Sequence, residues 1–214
     1  MSTIVIAGGH GQVALRLARL LCARGDTVRS LIRNPGHEAG VHATGAEAVL
    51  ADMEKLADLS EFVDGADAVV FAAGAGPGSG PERKRTVDLG AAVKLLDAAR
   101  RTGTRRYLMV SSMGAGNPAS GAEAMRPYLE AKAEADAALA ASDLDWTIVR
   151  PGGLTDDPGT GLIAAAGSLG RRGYITRDDV AAVLAACLDE PRTLRATFEV
   201  LEGETPIREA LAGL

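Results

Sequence analysis

The chain has 214 residues, a length suited to one large α/β domain, and its 47% hydrophobic content can fill a core. Only 3% of the residues are aromatic, so that core is aliphatic and rich in alanine. The formal net charge of −5 argues against a nucleic-acid partner, which calls for a basic stripe, and no apolar run reaches the roughly 18–20 residues of a membrane span.

The N-terminus runs directly into a strand without a basic segment and apolar core, so no signal peptide and a soluble, cytoplasmic protein are expected. Cys22 and Cys187 fall in apolar helical patterns as small core residues, and His10, His37 and His42 are too scattered for a zinc site, so no metal is expected. The basic clusters Arg83–Arg85, Arg100–Arg106 and Arg171–Arg172 are expected to be solvated helix ends and loops.

The predicted elements begin with a strand at Thr3–Ala7 and a helix carrying Val13, Leu17, Leu20 and Leu21 on one side, stopped at Gly25. Strands follow at Thr27–Ile32, Ala48–Leu50 and Ala68–Ala72, then a glycine-rich loop at Gly74–Gly80. A helix from Glu82 to Arg101 leads to a strand at Tyr107–Ser111, a helix from Tyr128 to Ala141 and a strand at Thr147–Val149. A further helix starts at Thr176, where Thr176 and Asp179 have the capping-box spacing and Pro191 follows the end. The last strand is Thr197–Leu201. Most strands are continuous apolar runs, which suits strands covered on both faces. The alternation predicts an α/β fold with a doubly wound parallel sheet of about seven strands. One domain over residues 1–214 is the simplest division, with 154–175 as a loop or lid on the substrate side.

In such a sheet the first strand-to-helix turn borders the crevice where dinucleotides bind. That turn is AGGHGQVA, residues 7–14. Gly8 and Gly11 permit a tight turn and close approach of backbone N–H groups to a pyrophosphate, Gly9 adds freedom, and Ala14 lets the helix pack closely. His10, Gln12 and Val13 complete the candidate cofactor-contacting turn. The G-x-x-G-x-x-A pattern is weak alone and gains its weight from its place between strand and helix. The second strand ends Ser30, Leu31, Ile32, Arg33, Asn34, with no acid to hold a ribose 2′-hydroxyl. Arg33 suits a 2′-phosphate, so NADP(H) is favoured over NAD(H); the alternative is an ordinary exposed arginine.

With these residues the chain resembles the atypical short-chain dehydrogenase/reductases, and more narrowly their small NAD(P)H-binding group related to NAD-dependent epimerase/dehydratases, a Rossmann-type fold. The segments that carry the resemblance include IVIAGGHGQVALRLARLL, ADMEK, AVVFAAGAG, TVDLGAAVKLLDAA, RRYLMVSSMGA, YLEAK and IVRPGGLTDDPGTG, spread over nearly the whole chain. The resemblance implies that Asp52 and Met53 meet the adenine. It also implies that Ala72, Ala73 and Gly74 line the cofactor ribose, and that Pro151, Gly152 and Gly153 run beside the nicotinamide and its ribose.

Ser111 or Ser112, at the end of the fifth strand, and Tyr128 with Lys132, four apart on one helix face, form the candidate catalytic group. A carbonyl accepting hydride needs a proton, which a phenol can give. With an unperturbed pKa of about 10, that phenol needs a nearby cation to take part. Lys132 is expected to supply it and to hold the nicotinamide ribose, while a serine hydroxyl orients the carbonyl oxygen. The residues alone leave open which serine does so, and the resemblance favours Ser112, with Ser111 facing the sheet. Tyr107 and Trp146 are expected to pack under helices, and Tyr174 lies in a loop that could close over the pocket.

The first functional expectation is an NADPH-dependent oxidoreductase moving hydride to or from a small carbonyl or alcohol. The alternatives are an epimerase or dehydratase with tightly held NAD(P), for which residues 154–174 leave little room, and a non-catalytic NADP(H)-binding redox sensor. The expected partner is a small molecule held by residues 74–81, 112–125 and 154–175, with no nucleic acid and no membrane. The chain is expected to be a monomer or small homo-oligomer.

Overall fold

The strand β1 (Thr3–Ala7) shows why this chain folds in layers. Ile4 and Ile6 point to one side of the sheet and Val5 and Ala7 to the other, and all four are buried. Strand residues alternate between faces, so an unbroken apolar run demands a cover on both. The computed structural model describes residues 1–76 and 78–214, and both covers are present. Leu17 and Leu21 of α1 (Gln12–Ala23) belong to the core on the side of Ile4 and Ile6. Leu95, Ala98 and Ala99, from a helix described below, belong to the core on the side of Val5 and Ala7.

The chain continues through β2 (Thr27–Ile32), α2 (Glu38–His42), β3 (Glu47–Leu50), α3 (Ser60–Val63) and β4 (Ala68–Phe71). It then enters α4 (Pro81–Arg83), a π-helical stretch at Lys84–Ala91, and α5 (Ala92–Thr102). After β5 (Arg106–Val110) come α6 (Arg126–Ala140), β6 (Asp145–Pro151), β7 (Gly153–Thr155), β8 (Leu162–Ala166) and β9 (Tyr174–Thr176). The chain ends with α7 (Arg177–Cys187), β10 (Ala196–Glu202), β11 (Thr205–Pro206) and α8 (Ile207–Ala212).

The main sheet has nine strands in the order β11-β8-β10-β6-β5-β4-β1-β2-β3. From β3 to β10 every neighbouring pair is parallel, and these strands are the seven expected from the sequence. The order reverses at β1, whose neighbours β2 and β4 lead to opposite edges, and that reversal opens the ligand crevice. Beyond β10, β8 and β11 extend the sheet antiparallel, so the strand count exceeds the seven predicted. The segment 154–175 is an out-and-back excursion. Its ends pair as the small parallel sheet β7–β9, and its middle forms β8, which lies between β10 and the edge strand β11.

Two local features also differ from expectation. The helix predicted over Glu82–Arg101 spans Pro81–Thr102, but its first half is π-helical over Lys84–Ala91, and Val87, Asp88 and Ala91 of that stretch are buried. Such departures from α geometry are frequent at functional sites. Arg106 is not a solvated loop residue: its guanidinium is mostly buried and donates to the carbonyl oxygens of Asp145 and Cys187. Burial lowers the Arg106 pKa from its ordinary value.

Tyr107 and Trp146 pack in the core as expected, the Tyr107 hydroxyl donating to the Ala92 carbonyl at 3.3 Å. Both cysteines are free, and burial pushes the Cys187 thiol up to about 12. Among the described residues no helix is long and apolar enough to cross a membrane.

The Thr176 cap holds the excursion to the body. Its hydroxyl oxygen accepts from the Asp179 N–H at 3.0 Å and donates to the Asp179 carboxylate at 2.9 Å. That carboxylate in turn accepts the backbone N–H groups of Thr160 and Gly161. Thr176→Ala is expected to destabilise the protein by about 1 kcal/mol in urea unfolding, while Thr176→Ser stays near the wild type.

Candidate functional site

The turn after β1 is shaped by crowding. Gly8 has φ +79°, and a Cβ there would lie 2.6 Å from the Ala73 Cα; a Cβ on Gly9 would lie 2.5 Å from the Ser30 Cβ. The end of β1, the residues after β4 and the interior of β2 converge so closely that two successive side chains are forbidden. The turn is closed by the Gly9 N–H donating to Leu31 O (2.9 Å) and the Gly11 N–H to Gly8 O (2.7 Å). Gly11 is the N-cap of α1 and no side chain caps it, so the positive end of a twelve-residue helix stands open beside the turn.

A pocket of about 250 Å³ lies against this turn. Gly8, His10, Gly11 and Arg33 line one part of it, Asp52 and Met53 another, and Ala73 and Gly74 a third. The four expected contacts on the nicotinamide side, Lys132 and Pro151–Gly153, lie elsewhere, and four of those expected on this side stand apart from its lining. Gly9 packs on Ser30, Gln12 accepts from Arg16 at 2.8 Å, Val13 is buried in the core, and the Ala72 N–H donates to Ala7 O.

His10 stacks on His37 with ring centroids 3.7 Å apart, and burial, aided by His37, lowers the His10 pKa. Burial alone would raise the Asp52 carboxyl, but hydrogen bonds from Lys55 and the Glu54 N–H outweigh it and hold the group below its usual value. Arg33 reaches Glu54 at 3.3 Å.

On α6, Tyr128, Lys132 and Asp136 follow one another at a spacing of four and descend from surface to interior. Tyr128 lines a second cleft, of about 800 Å³, with Ser112, Met125, Pro151, Gly152 and Gly153. Lys132 has only 3% of its side chain exposed, and its Nζ sits 3.2 Å from Asp88 Oδ1. That Nζ also donates to Val110 O (3.0 Å) and Ala73 O (3.4 Å), and it lies 5.9 Å from the centre of the Tyr128 ring. Lys84 Nζ lies 5.3 Å from the same ring. Asp136 accepts from the Ser111 hydroxyl and from Arg150, each at 2.9 Å. Burial raises the Asp136 pKa against the opposing pull of Ser111 and Arg150.

The two serines therefore part company. Ser111 is buried on Asp136, whereas Ser112 lines the cleft with Tyr128. Lys132 is held by Asp88 and two strand-end carbonyls, a fixation that the expected ribose contact did not include.

Of the expected substrate segments, 112–125 and 154–175 both contribute to the cleft, including Tyr174, which is 68% exposed. In 74–81, Gly74 and Ala75 line the first pocket, and Pro77 lies outside the described residues. Sequence reasoning missed Glu54, Arg83, Asp88, Asp136 and Glu199. Asp136 had a signal, four residues beyond Lys132, and Asp88 had one as an acid within an apolar helical run. Among the described residues no cluster of three or more His, Cys, Asp or Glu could hold a metal ion.

Comparison with known proteins shows the family and the fold. The model of the NAD(P)H-binding family matches residues 8–191. A Bacillus subtilis protein named as an uncharacterized sugar epimerase is 42% identical, with 99% of each chain covered. A solved Bacillus halodurans structure, named for the NAD-dependent epimerase/dehydratases, is 38% identical with a TM-score of 0.95 and all of both chains covered. The oxidoreductase ylbE of Lactococcus lactis is 28% identical with a TM-score of 0.87, covering 99% of this chain and 96% of its own.

A buried ammonium stripped of its counterion is costly. Asp88→Ala is expected to destabilise the protein by about 3 kcal/mol in urea unfolding. Lys132→Met added to it is expected to restore part of that loss, because the double variant leaves no charge unpaired.

Proposed function

The chain belongs to the NAD(P)H-binding family, and from that premise we propose that it is an NADPH-dependent oxidoreductase acting on a small carbonyl or alcohol. The first pocket fits the cofactor on its own terms, with no room for a Cβ at Gly8 or Gly9 and an uncapped α1 N-terminus beside them. These groups would hold the pyrophosphate, since helix N-termini bind anions through free N–H groups. Asp52, with its pKa lowered, is ready to accept from the adenine amino group, Met53 packs against that ring, and Ala73 with Gly74 borders the ribose. Arg33 takes the 2′-phosphate, so NADPH is preferred to NADH. The bound nicotinamide supplies or takes up the hydride.

The observation that carries the chemistry is that Ser112 and Tyr128 line one cleft while Lys132 is fixed beneath the phenol. Tyr128 gives the proton to the carbonyl oxygen, or removes it in the reverse direction, through its phenolic oxygen. Ser112 donates to that same carbonyl oxygen and steadies its developing charge. Lys132, locked by Asp88, supplies fixed positive charge near the ring, and Pro151, Gly152 and Gly153 line the same cleft as Tyr128.

A second reading, an epimerase that oxidises and re-reduces one sugar, draws on the name of the 42%-identical relative. It is distinguished by sugar turnover without net consumption of NADPH.

With a panel of small aldehydes and ketones followed by NADPH oxidation, Tyr128→Phe is expected to lower kcat by at least about a hundredfold with NADPH affinity unchanged. An undiminished rate would remove Tyr128 from the proton-transfer role. In fluorescence titrations the wild type is expected to bind NADPH at least about tenfold more tightly than NADH, and Arg33→Ala to erase that gap. A wild-type preference for NADH would sink the 2′-phosphate assignment.

A further inference from the structure

The carboxylate of Glu54 takes no part in the roles above, yet it is the meeting point of the first pocket. Its Oε2 lies 3.3 Å from an Arg33 nitrogen and 3.2 Å from an Arg83 nitrogen, and its Oε1 accepts from the Thr86 hydroxyl at 2.8 Å. These residues come from three separate places: Arg33 from the end of β2, Glu54 from the turn after β3, and Arg83 with Thr86 from the start of the long helix. Arg33, Glu54 and Arg83 line the same pocket as Gly8 and Gly11. One carboxylate oxygen thus shares two guanidinium groups across its mouth.

The charges around this point decide what the arrangement can bind. Asp52, the other acid of the pocket lining, is already paired with Lys55 at 3.3 Å. Of the two histidines there, burial and His37 disfavour protonation of His10. The free balance at the mouth is therefore two guanidinium charges less one carboxylate, a single positive charge. A phosphate monoester carries about −1.5 to −2 at pH 7, which matches two arginines and not one. Both arginine side chains are more than a third exposed, and ion pairs of that kind hold weakly. Charge-assisted bonds from arginine to phosphate are stronger and better matched in geometry.

We infer that Arg83 is a second guanidinium of the 2′-phosphate subsite, and that Glu54 is a built-in competitor that a 2′-phosphate displaces from both arginines. This rests on the NADPH reading above and extends it to two residues to which the resemblance assigned no role. A nicotinamide dinucleotide without the phosphate leaves the Glu54 pairs intact, so Glu54 and Arg83 act on the discrimination between the two cofactors. They act in opposite directions. Arg83 favours the phosphorylated cofactor by direct contact, and Glu54 weakens it by neutralising half of the available positive charge.

The test is titration of NADPH and NADH against the wild type, Arg33→Ala, Arg83→Ala and Glu54→Gln. Glutamine keeps the shape of Glu54 and its bond to Thr86 while losing the charge. Arg83→Ala is expected to weaken NADPH by about tenfold and to change NADH by less than about twofold. Glu54→Gln is expected to tighten NADPH by about threefold or more with NADH again little changed. If the wild type prefers NADH, the NADPH reading itself falls. If the wild type prefers NADPH and Arg33→Ala removes the preference, the reading stands. In that case, an unaltered ratio of affinities in Arg83→Ala and Glu54→Gln overturns this inference alone. An equal change toward both cofactors overturns it too, by marking the cluster as structural. An effect of Arg83→Ala without one of Glu54→Gln keeps the arginine and refutes the competitor.

Discussion

A lysine with 3% of its side chain exposed remains charged only if the fold supplies a partner and hydrogen-bond acceptors. The pairing of Lys132 with Asp88 is the constraint to which both pockets are tied. Removing such ions from water costs several kcal/mol each, so the geometry must offset it. Lys132 meets the cost with Asp88 and with the carbonyl oxygens of Val110 and Ala73. Those acceptors belong to different parts of the molecule. Val110 ends β5, from which Ser111 and Ser112 continue, and Ala73 is wall to the first pocket and neighbour to Gly8. One ammonium group thus fixes the distance between the nucleotide side of the crevice and the cleft that holds Tyr128.

Asp88 reaches that position from the π-helical stretch. Its Oδ2 also accepts from the Ala75 N–H at 3.2 Å, tying the loop after β4 to the helix that follows it. The loop is rich in glycine, and its Ala73 and Ala75 pack against the core. Its placement beside the turn at Gly8 is fixed further by a buried carboxylate that also holds the lysine. Substitution at either end of the pair therefore disturbs both pockets together, and stability effects must be separated from chemical ones by measuring both.

The sheet was legible because burial on both faces leaves a plain mark: most of the seven runs, IVIA and AVVF among them, are apolar without interruption. The strands β7, β9 and β11 are only two or three residues long, and β8 is the alanine-rich run LIAAA, which lacks the β-branched density of a strand. Their pairing is tertiary information: β8 adds to the open edge of β10, β11 adds to β8, and β7 pairs with β9. The glycine turn and the Tyr128–Lys132 spacing were legible for the same local reason. Asp88 and Glu54 were not, because their meaning depends on partners 44 and 29 positions away, Lys132 and Arg83.

The two adjacent serines show how far a local rule reaches. Successive residues of extended chain project to opposite sides, so at most one of Ser111 and Ser112 can face a cleft on a given side of the sheet. The sequence leaves the choice open, since both hydroxyls stand at a strand end where ligands gather. Asp136 settles it. Four residues below Lys132 on α6, it draws in Ser111 and Arg150 and forms a second buried ionic site beneath the first. With Ser111 committed to that carboxylate, Ser112 is the hydroxyl left to the cleft. The helix face that carries Tyr128 at its top is held from below by a row of alternating charges: Asp88, Lys132, Asp136 and Arg150. The role proposed for Tyr128 needs its phenol in one orientation, and that rigid footing is what would hold it there.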